Sequence, residues 1–232
     1  VVPTMSCGTQ LSSLVRQLAT YPSFRVPGSE VLVVHGSASA YATCAARQLR
    51  GLDLRHVDMS AVNPRLFTLT RFLGANASRN DVVVHMDVDV APRPRVIEAL
   101  VAQVVADPGF PHHDGGGRLV GVSSLRRWCD AQGYRTTETT TTLDWRGLGT
   151  TATGDTTFKA ANASSDATAS DGGGIAPFVA LTKLAASSKA LNARFVARLD
   201  DFAPVVAATR GNGEDLAFAH VVRSVGGRIG DV

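Results

Sequence analysis

Asp81-Val82-Val83-Val84-His85-Met86-Asp87-Val88-Asp89-Val90 is the stretch whose reading decides the fold. Three valines followed by His85 and Met86 make an apolar run of strand length, and β-branched side chains favour a pleated backbone. A run that is apolar at consecutive positions belongs to a strand covered on both faces, as in a parallel sheet. The run stops at Asp87 and Asp89, so two carboxylates are expected at the carboxyl end of a buried strand. Val31-Leu32-Val33-Val34, behind Pro27-Gly28, repeats the pattern, and Leu52 to Val57 reads as a further short strand. Helical segments separate them. Leu11, Leu14, Val15 and Leu18 recur at helical spacing over residues 10–21; residues 38–50 are alanine-rich; another helix is expected over 64–72. After Pro92 and Pro94, Val96, Leu100, Val101, Val104 and Val105 mark one more. Strands alternating with helices predict an α/β fold built on a mixed, mostly parallel sheet flanked by helices.

The pattern breaks in the middle. Residues 135–174 are dominated by Thr, Ala, Ser, Asp and Gly, and a stretch so biased is expected to be a long, flexible, low-complexity loop. Order is expected to resume at Phe178-Val179-Ala180-Leu181, followed by a helix through Leu191 and Phe195. A last helix is expected from Gly213-Glu214-Asp215 through Val221 and Val222, stopped by Gly226-Gly227.

Composition sets the outer bounds. A chain of 232 residues, 44% hydrophobic and 19% charged, can bury roughly 70–75% of its unfolded surface and is not disordered as a whole. The net charge of +3 is a mild bias over that length. Lys159, Lys183 and Lys189 are the only lysines, and Arg126-Arg127-Trp128 is too short to be a nucleic-acid stripe, so no nucleic-acid partner is expected. No run reaches the roughly 18 apolar residues of a membrane span. The first residues lack the basic start and apolar run of a signal peptide, and the chain opens on Val1 rather than methionine, as expected of a piece of something longer. Cys7, Cys44 and Cys129 are too few and too widely spaced for a zinc framework or a full disulfide scaffold. Asn76-Ala77-Ser78 and Asn162-Ala163-Ser164 are glycosylation sequons in expected loops.

Asp87 and Asp89 lead the candidate chemistry. Ligands of open α/β sheets bind beyond the carboxyl ends of the strands. Alternation along an extended backbone would set both carboxylates on one side, as hard oxygen ligands for Mg²⁺ or Mn²⁺, with the metal in turn neutralising a diphosphate. Against this, aspartates can simply end a strand. Asn212-Gly213-Glu214-Asp215 is the second constellation, and its plain reading is a capped helix start with acids on the dipole. His85 is expected in the core or behind the acidic pair, His112-His113 in a solvated loop, and Trp128 and Trp145 in packing or in a sugar-stacking surface.

In order along the chain, Val31–Val34, Thr70-Arg71-Phe72-Leu73, Met86–Val90, Leu119-Val120-Gly121-Val122, Val179–Ala186 and Asn212-Gly213-Glu214-Asp215-Leu216-Ala217 resemble the blocks of the exostosin family of retaining glycosyltransferases. The resemblance implies a GT-A-type, Rossmann-like fold over residues 1–232. Its nucleotide-sugar-binding half would span about 1–125, and an acceptor-side half about 175–232, shortened at its carboxyl end. It also implies a UDP-sugar donor of the N-acetylhexosamine or glucuronic acid type, and Mn²⁺ or Mg²⁺ as cofactor. The acceptor would be a glycan, glycolipid or glycoprotein. The setting would be the Golgi or ER lumen, behind an anchor outside this chain; oligomeric state is left open. By position, Asp89 would bind the metal with Asp87, and Asp87 would also contact the donor sugar or ribose. Arg71 and Asn63 would hold the nucleotide, and Glu214 and Asp215 would stand beside the anomeric carbon.

The chain departs from that pattern at several points. Gly213 replaces a cysteine of the family's disulfide, Gly36 stands for an asparagine after the second strand, and Val88 is the middle residue of an otherwise acidic triplet. Around Cys7-Gly8 the family's early nucleotide-contacting arginine has no counterpart, and the spacing from Asn63 to Arg71 is longer than usual. Two further classes are therefore carried: an inactive relative that binds nucleotide-sugar or glycan, and another metal-dependent enzyme acting on phosphoesters. The last requires an additional acid or histidine at a neighbouring strand end.

Overall fold

A computed structural model describes residues 1–46, 52–111, 117–122, 125–130, 133–138, 183–208 and 214–231. Three parallel strands, β1 (Val2–Thr4), β2 (Val31–His35) and β3 (Leu54–Asp58), lie in the order β1-β2-β3. Four more, β4 (Val82–Met86), β5 (Arg118–Gly121), β8 (Leu184–Ser188) and β9 (Arg228–Asp231), lie in the order β4-β8-β5-β9. Backbone bonds from Val1 N to Val84 O (2.6 Å) and from Met86 N to Val1 O (2.9 Å) join the two groups across β1 and β4 in the parallel sense. The strands thus run β3-β2-β1-β4-β8-β5-β9, with β8 antiparallel to both of its neighbours and the rest mutually parallel. This is the mixed, mostly parallel sheet the sequence predicts. A separate antiparallel ribbon pairs β6 (Leu125–Asp130) with β7 (Gly133–Glu138).

Helices cover both faces. Alternation sorts the side chains: Val120 and Ala186 join Leu11, Leu14, Val15 and Leu18 of α1 (Thr9–Leu18) and Val96, Ile97, Leu100 and Val104 of α5 (Pro94–Val105). Leu119 and Ala185 face the other way. They meet Phe72 of α4 (Thr70–Ala75), Leu191 and Phe195 of α6 (Lys189–Val196), and Phe218, Val221 and Val222 of α8 (Glu214–Ser224). Phe72, Phe195 and Phe218 pack with centroids 4.6–4.9 Å apart, a spacing at which tilted and edge-on rings attract. His85 lies fully buried against Phe72 and Phe218. It is therefore a core histidine, one of the two places the sequence allows it.

Three local expectations are corrected. The helix expected over 64–72 is broken into α3 (Asn63–Leu66), a 3₁₀ turn (Phe67–Leu69) and α4, because Phe67 takes a positive φ of 46°. The Leu184-Ala185-Ala186 stretch is a strand rather than a helix: small side chains fit between β4 and β5, and pairing on both edges overrides alanine's helix preference. Residues 135–138, assigned above to the insert, lie in β7, while 139–182, including Trp145 and the second sequon, fall outside the described residues. Three cysteines, too few for a full scaffold, still supply one bridge. Cys7 and Cys44 form a disulfide (Cα–Cα 5.4 Å) tying the segment after β1 to α2 (Ala38–Ala45). The first sequon is occupied by the fold: Asn76 accepts a hydrogen bond from Asn192 (2.8 Å), and Ser78 is buried beside Glu30. Among the described residues no helix is long and apolar enough to cross a membrane.

Gly74 fixes how closely α4 approaches the sheet. A Cβ built there would stand 2.5 Å from Cγ2 of Val34, itself buried in β2. Gly74→Ala is expected to lower stability by about 1–3 kcal/mol, because overpacking outweighs the roughly 1 kcal/mol gained in helix propensity. Urea unfolding checks it; an unchanged or raised midpoint contradicts this packing.

Candidate functional site

Chain order turns back between β1 and β4: β2 and β3 extend the sheet to one side of β1, and β4 opens the other. Such a switch leaves a crevice beyond the carboxyl ends of the strands. A cavity of about 520 Å³ lies there, in the range of small-molecule sites. Thr4 ends β1 there and Met5 and Ser6 follow it, Gly36 follows β2, Val88 follows β4, and Asn63, Phe67, Thr68, Thr70 and Arg71 come from the α3–α4 segment.

Arg71 reaches the site because Phe72 and Gly74, its neighbours on α4, are held in the core. Its side chain is almost fully buried, and Nη2 donates to Oδ1 of Asp87 at 2.6 Å. Asp87 N–H donates to Lys183 O, and its own carbonyl accepts from Val90 N–H at 3.1 Å. That bond closes a turn over 87–90. The extended alternation expected to put Asp87 and Asp89 on one side therefore ends at Met86. Asp87 turns inward to Arg71, and Asp89 stands exposed on the turn.

Glu214 and Asp215 occupy the first turn of α8, where acids complement the helix dipole. Glu214 does more than that. Its carboxyl accepts a hydrogen bond from Thr68 and lies within electrostatic reach of Arg71. Burial, and then the neighbouring Asp215 charge, push its pKa above the ordinary carboxyl range, against the opposing pull of Thr68 and Arg71. A carboxyl so displaced in a crevice is a recognised mark of a functional group. Asn63 starts α3, and its Nδ2 points at Met5 Sδ (3.8 Å). Gly36 is a constraint here: a Cβ would lie 2.4 Å from Met5 Sδ and 2.9 Å from Asn63 Oδ1. The side chain missing at Gly36 leaves the room that Met5 and Asn63 fill. Asn212 and Gly213 lie outside the described residues, as do His112 and His113.

Arg71, Asp87 and Glu214 thus converge from positions far apart in the chain; Arg71 and Asn63 line the cavity, and Asp89 stands on the turn that follows β4. Sequence reasoning missed Thr68, Met5 and Phe67, which carry no motif and enter only through the break between α3 and α4. It also missed His35 and His56, whose Nε2 and Nδ1 are 2.8 Å apart across β2 and β3. Burial, and then His56, push the His35 pKa down to about 4, and burial lowers that of His56.

Among the described residues no group of three or more His, Cys, Asp or Glu side chains is arranged to hold a metal unaided. The donors present fit a different mode. Mg²⁺ and similar hard ions are commonly held by one or two carboxylates plus substrate phosphates, and Asp87 and exposed Asp89, both on the 87–90 turn, would supply those carboxylates. A second cavity, of about 290 Å³, lies at the amino ends of β2 and β4 among Leu18, Phe24, Val83 and Ile97, and holds none of the candidate residues.

No family model matches the chain, and no curated protein does. Among solved structures, it is similar to S. aureus TarS 1-349 in complex with UDP-GlcNAc, at 18% identity and TM-score 0.38, over 53% of this chain and 33% of that one. A second crystal structure of TarS 1-349 matches at 18% identity and TM-score 0.36, over 53% and 34%. The match spans about a third of the TarS chain. The likeness is one of partial fold, and the chemistry of the site is carried by this chain's own residues.

The Glu214 shift has a definite sign. A carboxyl whose folded pKa is raised binds its proton more tightly in the folded state, so stability falls as pH rises from the unfolded pKa through the folded one. Glu214→Gln, which still accepts from Thr68, is expected to raise the Tm at pH 7 and to leave it nearly unchanged below pH 4. A Tm lowered at pH 7 would mean that the Arg71 attraction dominates instead.

Proposed function

We propose that the chain is a glycosyltransferase of the exostosin type that takes its sugar from a UDP-sugar at the β1/β4 switch point. The single observation that carries the reading is the convergence of Arg71, Asp87 and Glu214 at the carboxyl ends of the strands, beside a cavity of small-molecule size. Glycosyl transfer breaks the bond between the anomeric carbon and the diphosphate oxygen, which leaves with the electron pair as UDP. An acceptor hydroxyl forms the new bond and gives up its proton. Positive charge builds on the sugar and negative charge on the phosphate.

The residues suit those demands. Arg71 supplies a guanidinium for the phosphate side, and Asp87 holds it in orientation. A divalent cation, Mn²⁺ or Mg²⁺, would be held by Asp89 and Asp87, and when bound would neutralise charge on the diphosphate. Glu214 and Asp215 would face the sugar and acceptor: a carboxyl with a raised pKa is a stronger base than an ordinary one, suited to orient or deprotonate a hydroxyl. Asn63 offers a carboxamide to the nucleotide. The acceptor is proposed as a glycan, glycolipid or glycoprotein. The Cys7–Cys44 disulfide supports an oxidising setting such as the Golgi or ER lumen.

Thermal shift with UDP and Mn²⁺ tests the reading. UDP is expected to stabilise the protein only with the metal, and Asp89→Ala to abolish the shift. Asp215→Asn is expected to keep UDP affinity while stopping UDP release from UDP-sugars. No UDP shift with or without metal would reject the donor site; binding without release from any UDP-sugar would assign the chain to the inactive relatives.

A further inference from the structure

Phe67 sits where its chemistry is hardest to hold. Its φ of 46° and ψ of −124° are those of the first central residue of a type II′ turn, a position dominated by glycine. A bulky residue there is strained, and such strain concentrates at ligand sites, where the surroundings enforce it. Two backbone bonds do so here: Phe67 N–H donates to Asn63 O, and Phe67 O accepts from the Thr70 N–H. The Thr70 hydroxyl adds a third, at 2.7 Å to the same carbonyl.

The ring thus held joins neither hydrophobic core. Phe67 is 38% exposed, while Leu66 and Leu69 on either side are buried. It lines the 520 Å³ cavity, and so does Met5, another large apolar side chain left exposed, at 62%. Met5 rests over Gly36, where no Cβ blocks it, and its sulfur is polarisable and suited to aromatic contact. Asn63, next to that sulfur, carries a carboxamide, which presents a donor and an acceptor together. Arg71 lies along the same wall.

An aromatic face, a thioether, one carboxamide and one guanidinium match a planar heterocycle bearing a phosphate. A free phosphate would leave the ring and the thioether unused, and an uncharged sugar would leave the guanidinium without a counter-charge. We infer that Phe67 is the specificity-determining residue of this cavity, stacking on the base of a nucleotide whose edge is read by Asn63. The inference rests on the donor reading above and adds to it the residue that grips the base.

The test uses the full 232-residue chain. Ligand-observed saturation-transfer NMR with uridine, UMP and ribose 5-phosphate is run on the wild type and on Phe67→Leu, Phe67→Tyr and Phe67→Gly. Transfer is expected to be strongest at the uracil ring protons, with ribose 5-phosphate binding more weakly than UMP. Phe67→Leu is expected to weaken UMP about 5- to 150-fold, the size of one lost base–aromatic stack, and Phe67→Tyr to retain it. Phe67→Gly is expected to lose UMP while its Tm stays at or above the wild-type value, since glycine accepts the backbone that phenylalanine resists. Ribose 5-phosphate binding as well as UMP, or Phe67→Leu keeping wild-type affinity, would overturn the inference. A Tm drop in Phe67→Gly would do so too, by making Phe67 a packing residue. The two readings fail separately. Turnover of UDP-sugars with UMP affinity indifferent to Phe67 sinks only the stacking role, and Phe67-dependent UMP binding without turnover of any UDP-sugar sinks only the transferase.

Discussion

The buried pair of Arg71 and Asp87 is the interaction on which the rest depends. A guanidinium removed from water is tolerated only with a partner, and loss of one member of a buried pair costs about 3–5 kcal/mol. Asp87 keeps 22% of its exposure, so the figure for this pair lies toward the lower end. The pair also locates α4, a helix of six residues that is too short to be stable alone. Each of its residues is committed. Phe72 enters the aromatic cluster, Gly74 lets the backbone reach Val34, and Arg71 crosses to the end of β4. The charge at the crevice is thereby set by the same packing that closes the core.

That coupling explains why two acids apart in sequence from the strand can serve one site. Glu214 starts α8, whose Phe218, Val221 and Val222 pack in the same cluster as Phe72. The core fixes α8 against α4, and the helix start is left facing Thr68 and Arg71. The opposite edge of the sheet is fixed by a different device. Glu30, with its side chain 3% exposed, takes Arg55 at 2.8 Å and Arg79 at 3.1 Å, pinning β2, β3 and the approach to β4. Buried ion pairs thus hold both ends of the strands, Glu30 at the amino ends and Arg71–Asp87 at the carboxyl ends.

Much of this was legible in the residues. The valine runs of β2 and β4, the periodicity of α1 and α5, and the acids at the strand end and helix start were all readable, because burial on two faces and 3.6-residue spacing leave direct marks. What was not legible depended on tertiary context. Leu184-Ala185-Ala186 reads as helix by propensity and becomes strand only when β4 and β5 flank it. The turn closed by Val90 N–H and Asp87 O ends the extended backbone before Asp89, which no alternation rule could anticipate. Phe67 had no signal at all, since a phenylalanine gives no warning that it will occupy a glycine's conformation. The Cys7–Cys44 bridge could not be read from three cysteines, whose pairing is a matter of geometry.

The most direct measurement of the central claim is a crystal structure of the chain with UDP and Mn²⁺. The account predicts the uracil between Met5 and Phe67, the diphosphate beside Arg71, and the cation on Asp89. UDP bound elsewhere, for instance in the cavity at the amino ends of β2 and β4, or no nucleotide beside the Arg71–Asp87 pair, would contradict it.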